Sequence, residues 1–228
     1  LYNDEKRMPD KYGTIYGLEE VGYTLKVLQQ AKNTSIYVGR EMALDASGNE
    51  QMIYTNNVLG SLNPAVEEFG TVHPDSMVVS DRYLYYFDVN TGRVIRDAPN
   101  GQVDIAFGEH KMQTYFAQKA KALLVSGLDN VNVVAGYDKD NNMVYFTFID
   151  NITPANNETV GWHELKKRWT TFMSFIPEHY GRIGESKFLS FTGGALYEHN
   201  HDTPNRCTFY GVKYGQEIHI VSNPDPRW

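Results

Sequence analysis

The sequence predicts a mainly β protein of antiparallel hairpins, arranged as β-propeller-like blades, with one inserted amphipathic helix at about 109–125. Three observations predict it. Aromatics make up 13% of the 228 residues, led by 16 Tyr and 11 Phe, and flat rings suit a pleated, half-buried surface. The 19 Gly and 9 Pro punctuate short apolar runs. Strand–turn–strand units also recur about every 50 residues, the size of a four-strand blade: YLYYFDVNTGRVIR, VVAGYDKDNNMVYFTF and KFLSFTGGALYEHN. At that spacing the chain holds about four blades.

Taken in order, residues 1–20 are polar and aperiodic and read as a loosely structured opening segment of a single β-rich domain over 1–228. Candidate strands follow at Tyr23–Leu28, Ser35–Val38, Gln51–Tyr54, Ser76–Val79, Tyr83–Phe87, Arg93–Arg96 and Val103–Phe107. A second set is Val131–Tyr137, Met143–Phe148, Val160–His163, Arg168–Phe175, Lys187–Phe191, Ala195–Glu198, Cys207–Tyr210 and Glu217–Val221. Turn chemistry links them at Ser47–Asn49, Asn90–Gly92, Asn100–Gly101, Asp138–Asn142 and Thr192–Gly194, which marks hairpins of antiparallel sheet.

The helix is predicted from Met112, Tyr115, Phe116, Ala120, Leu123 and Leu124, which line one face at helical spacing. Glu109 suits the first turn and Gly127 the stop. The polar face, with Lys111, Gln118 and Lys119, is a candidate interface.

Composition excludes several classes. No apolar run reaches the roughly 20 residues that span a bilayer, and no basic, apolar secretory segment opens the chain. Cys207 is the single cysteine, so neither an internal disulfide nor a multi-cysteine metal site is possible. A formal charge of −7 and a pI near 5.5 argue against a nucleic-acid clamp. Leu1 stands where an initiating Met would, and the expectation is a piece of a longer protein.

The search for chemistry returns no catalytic, cofactor or metal residue. Glu67, Glu68, Asp138, Asp140, Asp225 and Glu178 show no spacing of a paired-carboxylate glycosidase. Read as a calcium loop from Asp138, the segment has Met143 where Gly belongs and Ile149 where Glu belongs. His199, Asn200, His201 and Asp202 form a polar loop cluster without a third ligand at metal spacing. His73, His110, His163, His179 and His219 are dispersed. No G-x-S-x-G or phosphate loop occurs, and Cys207 reads as a small buried strand residue. KKRWTTF places rings beside cations, but alternating Trp169, Phe172 and Phe175 read as a structural strand.

An ordered series of phrases carries a resemblance. It runs through VLGSLNPAVEEFGTVHPDSMV, YLYYFDVNTGRVIRDAPNGQVDIAF, VVAGYDKDNNMVYFTF, RWTTFMSFIPEHYGRIGESKFLSFTGGALYEHN and CTFYGVKYGQEIHIVSNPDP. It resembles the tail muzzle or nozzle proteins of crAss-like and related short-tailed bacteriophages, across roughly residues 58–226. The most specific stretch holds Trp169, Phe172, Ser174 and Phe175, then Lys187, Phe188, Phe191, Gly193, Leu196, Tyr197, His199 and Asn200. The resemblance implies that Trp169, Phe172, Phe175, Phe188, Phe191, Gly193, Leu196 and Tyr197 are core and turn positions. It further implies a non-enzymatic virion component without cofactors, made in the bacterial cytoplasm, that assembles as a sixfold ring with neighbouring tail proteins. Such a ring closes the distal channel, then passes genomic DNA, without sequence-specific binding, and ejected proteins. Two other readings of the residues stay open: a carbohydrate-binding or glycoside-cleaving propeller, tested at Glu178 or Asp138, and a propeller interaction scaffold.

Overall fold

The computed structural model describes residues 5–44, 47, 49–184, 186–202 and 206–218. Within them the chain runs through four antiparallel sheets in chain order. The first comprises β1 (Ile15–Val21), β2 (Thr24–Gln29), β3 (Lys32–Leu44) and β4 (Glu50–Pro64). The second comprises β5 (Val78–Val79), β6 (Leu84–Asp88), β7 (Arg93–Ala98) and β8 (Gly101–Asp104). Helix α1 (Gln113–Ser126) precedes the third sheet, β9 (Val131–Asp138), β10 (Met143–Asp150), β11 (Glu158–His163) and β12 (Arg168–Met173). The fourth comprises β13 (His179–Ile183), β14 (Lys187–Thr192) and β15 (Ala195–Glu198), and β16 (Thr208–Phe209) pairs β17 (Val212–Lys213) in a last hairpin.

Successive sheets stack face to face because their central strands are apolar on both sides. Successive strand residues point to opposite faces, so one run serves two cores. On β6, Leu84 and Tyr86 join Leu28 and Met77 against the first sheet, while Tyr85 and Phe87 face the third sheet and α1. On β10, Val144, Phe146 and Phe148 share that same core, whereas Met143 and Tyr145 pack with Phe175, Tyr180 and Phe188 of the fourth sheet's side. Each such side chain contributes about 1.5–3 kcal/mol when removed from water. The Phe87 and Phe148 rings meet edge to face at 5.0 Å and bridge the second and third sheets.

Helix α1 seals the central core with Phe116, Ala120 and Leu123. Phe116 lies 4.7 Å from the Trp169 ring. The β6–β7 turn comes close to the helix at Gly92, whose φ is +66° and where a Cβ would stand 2.9 Å from Ala117 Cα. Only glycine meets both demands at little cost. At the far end, the N–H of Gly127 donates to the carbonyls of Leu123 and Leu124 and stops the helix.

Buried polar joints also tie the stack. Lys26 on β2 pairs with Asp97 on β7 at 2.8 Å, and Asn33 donates to the same carboxylate at 2.7 Å. Between the second and third sheets, Glu164 accepts from the Tyr85 hydroxyl and from the Trp162 indole at 2.9 Å. Arg96 at 3.5 Å and Lys167 supply its counter-charges. Burial alone would raise the Glu164 carboxyl; the Lys167, Tyr85 and Trp162 donors outweigh it and hold it below the usual carboxylate range.

Several expectations are corrected. The opening segment is not loose to residue 20: β1 begins at Ile15 and pairs β2. The helix starts at Gln113, since Gly108–His110 forms a separate 3-10 turn that holds Glu109, and Lys111 adopts a left-handed φ of 54° between them. Leu124, expected on the buried face, is exposed. The short strands expected around Ser35–Val38 and Gln51–Tyr54 are parts of one long ribbon, β3–β4, with register shifts beside Val38. Strand β13 was not expected at all, because HYGRI buries only Tyr180. Val103–Phe107 yields to β8 at Gly101–Asp104, and the Arg168 strand ends at Met173. Cys207 is half-buried in a turn with a φ of 59°, just before β16, and is not a strand residue. Glu217 and Ile218 lie outside any strand, and residues 219–221 fall outside the described ones. The expected antiparallel β architecture with one helix is present, as four sheets that follow one another in chain order; the described residues show neither a closed barrel nor a closed propeller.

Candidate functional site

The four sheets meet at one cleft of about 430 Å³. Each contributes its first strand, or the turn that leads into it. Glu19 comes from β1, Asp75 from the 3-10 turn before β5, Tyr137 from β9, and His179 and Arg182 from β13. Strand β9 packs beside both β5 and β13. Gly136 permits the second of these contacts, since a Cβ there would lie 2.5 Å from the Tyr180 ring and 2.9 Å from that of Phe188.

The lining is charged. Glu19 is half-buried, and burial pushes its carboxyl above the usual range. Asp75 accepts from the Asn132 amide at 3.0 Å. Arg182 and His179, also in the lining, are exposed. Burial also raises the Tyr137 hydroxyl, with nearby carboxylates adding to the shift.

The residues expected as core and turn positions divide. Phe175 and Phe188 are 2% exposed and share one cluster. Trp169 is half-buried and its indole donates to the Ile105 carbonyl at 2.8 Å. Tyr197 is half-buried against the Tyr210 ring, 4.7 Å away. Gly193 takes the β14–β15 turn with a φ of 57°, and its N–H donates to Glu178 at 3.0 Å. Phe172, Phe191 and Leu196, expected in the core, are exposed. Phe172 sits on edge strand β12, with the Tyr115 ring beside it at 5.5 Å. Phe191 and Leu196 are cross-strand partners, both on β14–β15 positions that stay open to solvent.

Of the expected helix interface, Gln118 is exposed on α1 and Lys111 is exposed ahead of it. Lys119 is engaged within the chain: it pairs with Glu158 at 2.8 Å and donates to the Asn156 carbonyl at 2.8 Å. Asp138 caps its turn, accepting from Asn141 and Asn200 at 2.8 Å each. Glu67, Glu68, Asp140 and Glu178 are exposed, and Asp225 lies outside the described residues. No three His, Cys, Asp or Glu gather as a metal site among the described residues.

His199 is not a loop residue in solvent, as expected, but lies half-buried between the Phe175 and Phe188 rings at 5.0 and 5.1 Å. Burial holds its imidazole below the ordinary value, with Asp138 opposing. Its Nε2 shares a hydrogen bond with Ser190 Oγ at 2.6 Å, and Ser190 in turn meets the Tyr210 hydroxyl at 2.9 Å. A serine–histidine pair at this distance has the contact of a hydrolytic dyad. Ser190 is fully buried, however, and Tyr210 occupies its other side, so the pair serves to dock the last hairpin.

Residue-by-residue reading misses Glu19, Asp75, Tyr137 and Arg182. They come from three sheets and from the turn that leads into a fourth, with no shared spacing, so no local pattern joins them.

Comparison with known proteins gives one positive result. A family model described as Crassvirus muzzle protein matches residues 45–193, more than half of the chain and spanning the second and third sheets. No curated protein matches the chain.

Proposed function

We propose, from the premise that the chain belongs to the Crassvirus muzzle protein family, that it supplies propeller-like blades to the distal ring of a phage tail. In this reading it is a structural, non-enzymatic virion component. The family match over residues 45–193 is the observation that carries it.

Two features of the fold support the finer points. Four stacked sheets with their first strands on one cleft match the way blades surround an axis, each beginning at the inner strand. Exposed apolar side chains gathered on one element are candidates for association. The β3–β4 ribbon exposes Met52, Ile53, Tyr54 and Val58, and Arg40 stacks on Tyr23 and Tyr54 at 3.6 and 5.0 Å. We assign this ribbon to contacts with other copies or neighbouring tail proteins. A net charge of −7 suits a channel wall from which DNA phosphates are repelled.

Mass spectrometry and electron microscopy of purified virions test the reading. The expected result is the protein at the tail tip, in a ring of copies. Its absence from purified particles would overturn the assignment.

A further inference from the structure

We propose that the cleft where the four sheets meet is a socket for one lysine or arginine side chain, carried by an extended segment of another protein chain.

Charge comes first. Two carboxylates, Glu19 and Asp75, and one guanidinium, Arg182, are among the lining residues, so the lining carries a net charge of minus one at pH 7 with His179 counted as neutral. One added cation brings it to zero. Asp75 already accepts from Asn132, but the Glu19 carboxylate makes no hydrogen bond or ion pair with any described residue. A half-buried carboxylate without a partner has lost hydration and gained nothing in return. A cationic donor placed beside it would recover that loss with a charge-assisted hydrogen bond.

Size and backbone agree. A cleft of about 430 Å³ falls in the usual range of ligand sites, roughly 300–1,000 Å³. Strands β1 and β13, which bear Glu19 and Arg182, are end strands of their sheets, each with one edge unpaired among the described residues. Such edges offer N–H and C=O groups to an extended segment. Arg182 and His179, exposed in the lining, remain available to carbonyls or a carboxylate of the same segment. Nothing in this pairing depends on the chain's place in a tail.

The test is an NMR titration of the isotope-labelled chain with a blocked pentapeptide, Val-Thr-Lys-Thr-Val, against the same peptide with norleucine for lysine. The lysine peptide is expected to shift the amides of Glu19, Ala135–Tyr137 and Arg182, with binding about tenfold tighter than norleucine's. Glu19→Gln is expected to remove most of that advantage, and Asp75→Asn part of it, with unchanged amide spectra elsewhere. Equal binding of the two peptides would make the cleft an apolar groove and overturn the proposal. No shift at those amides, or an advantage that survives Glu19→Gln, would overturn it too.

Discussion

Lys26 of the first sheet and Asp97 of the second form an ion pair at 2.8 Å, with side chains only 11% and 4% exposed. Ser35 accepts from the same ammonium at 2.9 Å, and Asn33 donates to the same carboxylate, so each charge has a second, polar partner. Neither charge has water to fall back on. Removing one partner from a buried pair therefore costs more than the pair is worth. Asp97→Ala is expected to destabilise the fold by about 3–5 kcal/mol in urea denaturation. The double variant Lys26→Met, Asp97→Leu is expected to lose much less than the sum of the two singles. Additive losses would contradict this.

The aromatic phrase divides by burial, and stability should divide with it. Phe175 touches Tyr145, Phe209 and His199 and is nearly sealed from water. Phe175→Ala is expected to cost about 3–5 kcal/mol. Phe172, 56% exposed with Tyr115 at its side, should cost under about 1 kcal/mol as Phe172→Ala. Comparing the two melting temperatures decides whether the phrase is uniformly core.

Gly92→Ala meets two obstacles at once. The left-handed backbone disfavours a side chain, and the added Cβ would press on the backbone of Ala117. A loss of about 1–3 kcal/mol is expected, with weakened protection of α1 amides in hydrogen exchange. An unchanged melting temperature would mean that the turn does not seat the helix.

His73 makes stability depend on pH. It is 4% exposed, its Nε2 has no hydrogen-bond partner, and burial pushes the imidazole down to about 4, with Asp75 opposing. The folded value lies below the unfolded value of 6.5, so the neutral ring's contribution is complete above pH 6.5 and is lost as pH falls through about 4. At about 1.4 kcal/mol per unit, the loss amounts to about 3 kcal/mol. His163 and His199 are shifted the same way, so the informative quantity is the difference between wild type and His73→Phe. That difference should change across pH 6.5–4 and stay flat from 7 to 8.

Much of the fold is legible locally. The runs at Tyr83–Phe87, Val131–Tyr137 and Met143–Phe148 are strands because they are apolar, aromatic and bounded by turn residues, and β6, β9 and β10 follow them closely. Strands β1 and β13 are hidden for the opposite reason. Their side chains are largely exposed, so their pairing rests on backbone hydrogen bonds that any composition can make. The ring at position 188 is core and the one at 191 is not, although both are phenylalanines on β14. Alternation places them on opposite faces, but it does not say which face another sheet will cover.

By itself, then, the sequence determined the β class, the hairpin turns, the single helix and, through an ordered set of phrases, the family. Each of these is written in neighbouring residues, within reach of one turn or one strand period. The tertiary structure alone decided that Tyr85 and Tyr86 serve different cores, that Lys119 is spent on Glu158, and that Glu19, Asp75, Tyr137 and Arg182 line one cleft. Those facts depend on how whole sheets stack. Stacking is set by the summed burial of many side chains, which no short segment of the chain contains.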